Sequence, residues 1–242
     1  HAFPNAPIMQ GAWGGSHEPC GFHFGLNVNT RTERYSREDI SSPYSSNHLL
    51  VQPGNIAYGI WTANYPQELI DKGHEWYLFG QDYDLPAKTA EEMIQIWEEG
   101  VATGAYFKAD TLDDLADQLS LDAGKLKAVV ARYNEFCDKG VDEDFQKHPD
   151  FLVRSDEAGP FYAAMNHAIF MGTTGGLRTN VDMQVCDAND EPIPGLFNVG
   201  NMVGDMYANT YNFAIPGNCY GINALCFGYC LGRDMAAGKF DA

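Results

Sequence analysis

Met171-Gly-Thr-Thr-Gly-Gly-Leu-Arg-Thr-Asn180, Pro192-Ile-Pro-Gly-Leu-Phe-Asn-Val-Gly-Asn201 and Ile215-Pro-Gly-Asn218 follow one another near the end of this chain. A long apolar segment, Ala224–Ala237, completes the series and reads as a helix. Thr173–Gly176 is a small turn with paired glycines. Pro192–Asn201 reads as a turn, a short buried strand and a second glycine turn. A buried strand that ends in glycine, followed by a Gly/Pro turn and a helix start, brings bare backbone N–H groups up to a ligand.

Upstream, the chain reads as a mixture of short helices and strands. Leu26–Asn29 is a strand candidate. Tyr35–Gln52 holds a short helix ended by Pro53-Gly54, and Ile56–Thr62 suits a buried strand. Pro66–Lys72 starts a helix with proline in its first turn, and Gly73 ends it. Thr89-Ala-Glu-Glu92 and Thr111-Leu-Asp-Asp114 have capping-box spacing. Asp122 caps a further helix with Leu126, Val129, Val130, Tyr133 and Phe136 at near-helical spacing, and Gly140 stops it. Tyr106–Ala109 and Phe161–Phe170 read as strands. Val141–Pro149, charged and turn-rich, reads as a surface connection.

The order T-x-G-G-L-x-x-N, then D-x-x-x-x-P-I-P-G-L-F-x-x-G-N, then P-G-N…F-G-Y-x-x-G resembles the C-terminal part of the fumarate reductase/succinate dehydrogenase flavoprotein family. That family also holds ketosteroid dehydrogenases, urocanate reductase and many reductases of anaerobic bacteria. Leu26-Asn-Val-Asn29 with Arg34-Tyr35 and Glu38 is similar to its L-x-V-N…R-F-x-N-E. Thr111–Ala116 with Ala131-Arg-Tyr-Asn134 is similar to its T-x-x-x-L-A…A-R-Y-N. The resemblance implies an α+β fold, with a capping domain over residues 1–162 followed by the C-terminal strand–turn–helix segment of the FAD-binding domain over 163–242. The family's G-x-G-x-x-G has no counterpart here. Gly11–Gly15 is no substitute, because no strand precedes it and no helix follows. The chain begins at His1 without Met, so it is read as a fragment; without the pyrophosphate-gripping turn it is expected by itself to bind FAD weakly or not at all. A missing leader therefore says nothing about export.

The 242 residues, 45% of them apolar, suffice for one large or two small cores. Lys and Arg number 15 against 33 Asp and Glu, a formal charge of -18. That argues against nucleic acid and anionic membrane surfaces as partners. No apolar run approaches the roughly 20 residues of a membrane span. The six cysteines form no C-x-x-C pair and are expected as free thiols. Cys219, Cys226 and Cys230 are expected in small apolar packing. His17 and His23 bracket Cys20, yet no histidines pair at i, i+4 on a helix, so no metal site is expected.

The resemblance assigns roles residue by residue. Gly175 and Gly176 of the T-x-G-G turn are expected against the cofactor. Gly200-Asn201 stand where the family has Gly-Glu, whose acid binds a flavin-side-chain hydroxyl; Asn201 can hydrogen-bond it without charge, or serve as a simple turn residue. Gly217-Asn218 open the last helix, with N–H groups toward the flavin's pyrimidine edge. Between Asn218 and Phe227-Gly228 the chain is one residue longer than the family spacing, so the start of that helix is expected to bulge. His1 matches a substrate-site His-Pro-Thr.

Fumarate reductases carry His where Gly172 stands. They carry Arg in the segment matching Asp205–Ile215 and in the segment matching Ser41–Ser45, and neither segment here contains a basic residue. A dicarboxylate needs fixed cations, so fumarate is not the expected substrate. Tyrosines fill the gap. Tyr211, with Asn212 beside it, and Tyr44 are candidate proton donors, and Arg37 with Glu38 and Asp39 a candidate relay. Each Tyr reads as well as a half-buried packing residue, and Arg37 as well as a surface ion pair. The implied activity is FAD-dependent hydride transfer between flavin N5 and an activated C=C bond of a small unsaturated molecule. An electron-donor protein such as a cytochrome is the candidate partner. The alternative is a non-enzymatic binding module derived from the cap, without flavin.

Overall fold

Leu26-Asn-Val-Asn29 alternates apolar and polar residues with the period of a strand, and the computed structural model builds its first sheet on it. The structure describes residues 25–40, 42–74, 89–167, 175–204, 206 and 218–240. The chain divides into two units, His1–Ile169 and Phe170–Ala242.

In the first unit, β1 (Leu26–Asn29), β2 (Ile56–Thr62), β3 (Phe107–Ala109) and β4 (Phe161–His167) form an antiparallel sheet of order β1-β2-β4-β3. The register sets Leu26 opposite Ile60 and Ile60 opposite Ala163. Leu26, Val28, Tyr58, Ile60 and Phe161 therefore share one face, covered by α4 (Leu112–Leu119) and α5 (Ala123–Lys139) through Leu115, Leu126, Val130 and Tyr133. Trp61, Tyr162 and Ala164 lie on the other face. There they meet Leu69 of α2 (Tyr65–Asp71) and Met93 and Trp97 of α3 (Ala90–Thr103). α1 (Ser42–Leu50) precedes a single 3-10 turn, Pro53–Asn55.

The helix boundaries follow the local chemistry. Thr89 and Glu92 form a complete capping box. Asp122 accepts from the Lys125 N–H, and Gly140 ends α5 with φ +68°. Thr111 makes only half of the expected box: it accepts from the Asp114 N–H, but the Asp114 carboxylate takes the Thr111 hydroxyl at 2.6 Å. Aspartate is one methylene too short for the return bond that glutamate makes.

Val141–Pro149 is mostly exposed, as a surface connection would be, but it turns two of its charged side chains inward. Asp142 and Lys147 are buried. The Arg34 guanidinium donates two hydrogen bonds to Glu38 and two to Asp142, at 2.7–2.9 Å. Lys147 Nζ donates to the Tyr133 hydroxyl at 2.8 Å and lies 3.2 Å from Glu38. The two cations and two carboxylates cancel, which is what lets them leave water.

In the second unit, β5 (Gln184–Cys186) and β6 (Pro192–Phe197) form a two-stranded antiparallel ladder. A π-helix, Asn218–Cys226, runs into α6 (Phe227–Ala236). The compact units divide between 169 and 170, since β4 pairs with β2 and β3 inside the first sheet. Two expectations need correction. β6 is exposed along most of its length instead of buried, since a two-stranded ladder offers no second layer among the described residues. Cys226 is exposed, so it is no packing residue of a helix core; Cys230 is half-buried, and the side chain of Cys219 lies outside the described residues. Among the described residues no helix is long and apolar enough to cross a membrane.

Candidate functional site

The site is assembled in the second unit from the glycine turns. The Gly175 N–H donates to the Asn201 carbonyl at 3.0 Å, the Leu177 N–H to Met202 at 2.9 Å, and the Gly204 N–H to Leu177 at 2.9 Å. A parallel bridge joins Leu177 and Val203. The two turns are thus stitched backbone to backbone, and the approach is so close that only glycine fits. A Cβ on Gly176, where φ is +152°, would overlap the Met202 carbonyl oxygen, and one on Gly204 would stand 2.5 Å from the Gly176 oxygen.

Behind this seam sits Gly200, at φ +82°, opening the short turn Gly200–Met202. Its open side allows Ala224 of the π-helix within 3.7 Å of where a Cβ would stand. Asn198 locks the turn from below, its side-chain amide donating to the Met202 carbonyl at 2.7 Å while its backbone N–H reaches Met183. The sequence reading passed over Asn198. The available signal was a buried amide closing a strand that is otherwise apolar from Leu196 to Val199.

Gly175, Gly176, Gly200 and Asn201 therefore come together in one seam, with Asn201 half-buried at its corner. The helix expected to bulge at its start is a π-helix there, the form in which a helix absorbs one extra residue. Asn218 is its first residue. His1, Tyr211, Asn212 and Gly217 lie outside the described residues, as do the side chains of Tyr44 and Asn218. In the first unit, Arg37 makes a two-pronged pair with Asp39 at 2.6 Å, and Asp39 also accepts from the His148 N–H at 2.9 Å. That pair holds the guanidinium in a fixed orientation, with 37% of the side chain exposed.

Gly175 has open space on its Cβ side, Asn201 offers a neutral amide, and the turns present backbone rather than bulk. This surface fits a ligand that is approached backbone-on and carries hydroxyl and ring edges, as a flavin nucleotide does.

Residues 31–215 match the FAD binding domain family. The chain is 36% identical over 203 residues to a vinyl phenol reductase of Lactiplantibacillus plantarum, covering 81% of this chain and 40% of that protein. It is 29% identical over 211 residues to a urocanate reductase of Eggerthella lenta, covering 87% of this chain and 31% of that one. The fold is shared with the open conformation of a flavocytochrome c3 fumarate reductase, with a TM-score of 0.53 and 23% identity over 93% of this chain and 34% of the other. It is also shared with a 3-ketosteroid delta1-dehydrogenase from Sterolibacterium denitrificans, with a TM-score of 0.62 and 22% identity over 88% of this chain and 38% of the other. The chain spans about two fifths of the vinyl phenol reductase's length. With the family match covering most of its residues, the chain belongs to the FAD binding domain family, whose cofactor is FAD.

Proposed function

We propose that the protein containing this chain reduces a carbon–carbon double bond of a small organic molecule, or forms one in the reverse direction. The family match over residues 31–215 carries this reading. The names of its relatives support it: vinyl phenol reductase, urocanate reductase and NADH:acrylate oxidoreductase. Vinyl phenol, urocanate and acrylate all contain a carbon–carbon double bond. FAD, when bound, supplies the two-electron chemistry.

The chain's own residues do the rest. Gly175, Gly176 and Gly200 admit the cofactor against backbone, Asn201 gives a neutral hydrogen bond, and the helix opening at Gly217-Asn218 offers N–H groups. Tyr211 is proposed to hold the proton that accompanies reduction. Among Thr210, Tyr211 and Asn212, the polar side chains of residues 210–215, only the phenol has a proton transferable near neutral pH. Tyr44 is the next candidate, and Arg37 is proposed to relay to it. The capping role of residues 1–162 belongs to the same proposal and rests on motif order alone. The substrate is not fumarate, because no basic residue stands in 41–45 or 205–215 and a dicarboxylate needs them.

The test is a viologen-driven turnover assay on the complete flavoprotein, with acrylate, urocanate, a vinyl phenol and fumarate in parallel. Saturation of one double bond in a non-fumarate substrate is expected. Fumarate turning over fastest would overturn the substrate reading. Tyr211→Phe is expected to keep FAD bound while kcat falls by about 10²–10⁴-fold; an unchanged kcat would remove Tyr211 from the mechanism.

A further inference from the structure

The face of the first sheet that carries Trp61 and Tyr162 holds a run of oxidisable rings for which the proposed reaction has no use. Trp61 and Trp97 are fully buried, their centroids 5.6 Å apart in an edge-to-face contact. Tyr162 stacks on Trp61 at 6.2 Å and lies 5.4 Å from Trp97, and Tyr106 meets Trp61 at 5.7 Å. The rings are thus in continuous contact, without an aliphatic gap.

Their polar ends differ in a way that matters for electron loss. The indole N–H groups of Trp61 and Trp97 are buried with no acceptor among the described residues. An unsatisfied buried donor calls for an explanation, and a redox role is one of the few available. The Tyr162 hydroxyl, by contrast, donates to Glu98 Oε1 at 2.5 Å, the short, charge-assisted geometry of a phenol on a carboxylate. Glu98 is 43% exposed at its side chain, although the Tyr162 ring is buried. A proton given to Glu98 can therefore exchange with solvent.

An aromatic ring gives up an electron more readily when its proton has somewhere to go. Trp61 and Trp97 offer no such route, so an electron vacancy on either stays a radical cation. Tyr162 does offer one. We propose that Tyr162 is a redox-active tyrosine, the end point for oxidising equivalents that enter through Trp61 and Trp97, with Glu98 as its proton acceptor.

The step balances. A one-electron oxidant of the peroxide-derived radical class takes an electron from an indole and is itself reduced by one electron. Tyr162 then returns an electron to the indole cation, and its phenolic proton crosses to the Glu98 carboxylate. The products are a neutral indole, a neutral tyrosyl radical and a carboxylic acid. A thiolate from solution restores the electron, and Glu98 restores the proton.

Lys108 tunes the step. Its ammonium lies 2.5 Å from the same Glu98 oxygen and 5.5 Å from the Tyr162 ring centroid. Lys108 first, then Tyr162, holds the Glu98 carboxyl ionised below its usual range. The cation therefore makes Glu98 a weaker base and makes electron loss from the ring harder. Neither FAD nor substrate takes part, so the proposal stands or falls apart from the reductase reading.

The experiment is flash-quench oxidation of the chain with photo-oxidised tris(bipyridine)ruthenium, read by transient absorbance and by electron paramagnetic resonance of frozen samples. The native chain is expected to give a neutral tyrosyl signal whose formation slows in D₂O. Tyr162→Phe, which keeps the ring, should lose that signal and leave a tryptophan radical cation. Glu98→Gln, at a half-open carboxylate, should form the tyrosyl radical more slowly, and Lys108→Met should form it faster. Near-ultraviolet circular dichroism checks that each variant is folded. A tyrosyl signal of unchanged size in Tyr162→Phe would overturn the assignment, and so would an unchanged rate in Glu98→Gln. If Tyr162→Phe does not fold, the Glu98→Gln rate decides.

Discussion

The two units treat their large side chains in opposite ways. In residues 1–169, Trp61, Trp97, Tyr133, Phe136 and Tyr162 are at most 2% exposed. In residues 170–242, Val181 is 96% exposed, Leu225 72% and Tyr229 71%, and the buried apolar residues described are Val185, Val203 and Leu231. An aromatic side chain buries about 150–250 Å², so the first unit carries its own hydrophobic stabilisation. The second is held by backbone stitching between glycine turns and by amides such as Asn198. A surface that presents bare backbone to a cofactor must give up the side chains that would otherwise form a core. Ligand contact and self-sufficient packing therefore compete, and under the proposed cofactor contacts they fall to different units.

The sharpest way to break this contrast is to attack the ion network of the first unit. Arg34→Met leaves Glu38 and Asp142 buried without their shared cation, and such a loss costs about 3–5 kcal/mol. Urea unfolding followed by tryptophan fluorescence should show a lower midpoint. Amide exchange should show the loss in the first unit's strands and leave the ladder β5–β6 unchanged. A shift no larger than that of a surface lysine variant would show that the network does not hold the unit together.

Acid offers a graded version. Burial alone would raise the Asp142 pKa, but the Arg34 hydrogen bonds and the Lys147 and Phe145 N–H groups outweigh it and hold it at about 2, against an ordinary 3.8. The unfolded chain thus takes up the proton first. The stabilisation, about 2 kcal/mol for this shift, is fully present above about pH 4 and disappears as pH falls toward about 2. Asp142→Asn should flatten the dependence of stability on pH in that window. A slope equal to that of the native chain would contradict the assignment.

The smallest effect belongs to the second unit. Asn198→Ala removes the hydrogen bond to the Met202 carbonyl, a loss of about 1 kcal/mol. It should loosen the Gly200–Met202 turn, weaken FAD binding in the complete flavoprotein, and leave the first unit's unfolding midpoint in place. An effect on that midpoint as large as that of Arg34→Met would dissolve the distinction between the units.

Much of this was legible from sequence wherever a rule acts over a few residues. Thr89, Asp122 and Gly140 set helix ends through neighbours three or four positions away, and the strands at Leu26–Asn29 and Ile56–Thr62 follow their own side-chain patterns. The glycine turns were legible too, because φ and close approach leave few other residues able to stand there. The buried network was not. Arg34 meets Asp142 across 108 positions, and charges in a turn-rich stretch look solvated until their partners are placed. The exposure of β6 was hidden for the converse reason: an apolar strand looks buried unless the number of layers around it is known. Tyr162 stood only as one residue of the strand-like run Phe161–Phe170, and nothing local told that its hydroxyl ends on Glu98.

The π-helix Asn218–Cys226 acts as a tolerance in the reading of the gene. Each residue added to an ordinary helix turns everything after it by about 100°, so an insertion normally swings the whole downstream face away. Widening the turn instead absorbs the extra residue before α6 begins, and Phe227, Leu231 and Arg233 keep the facing they would have had without it. Deleting one residue between Gly221 and Leu225 should therefore return ordinary winding while α6 stays where it is. Such a one-residue loss is a sequence change this segment can accept, whereas the close-packed turns at Gly176 and Gly204 cannot.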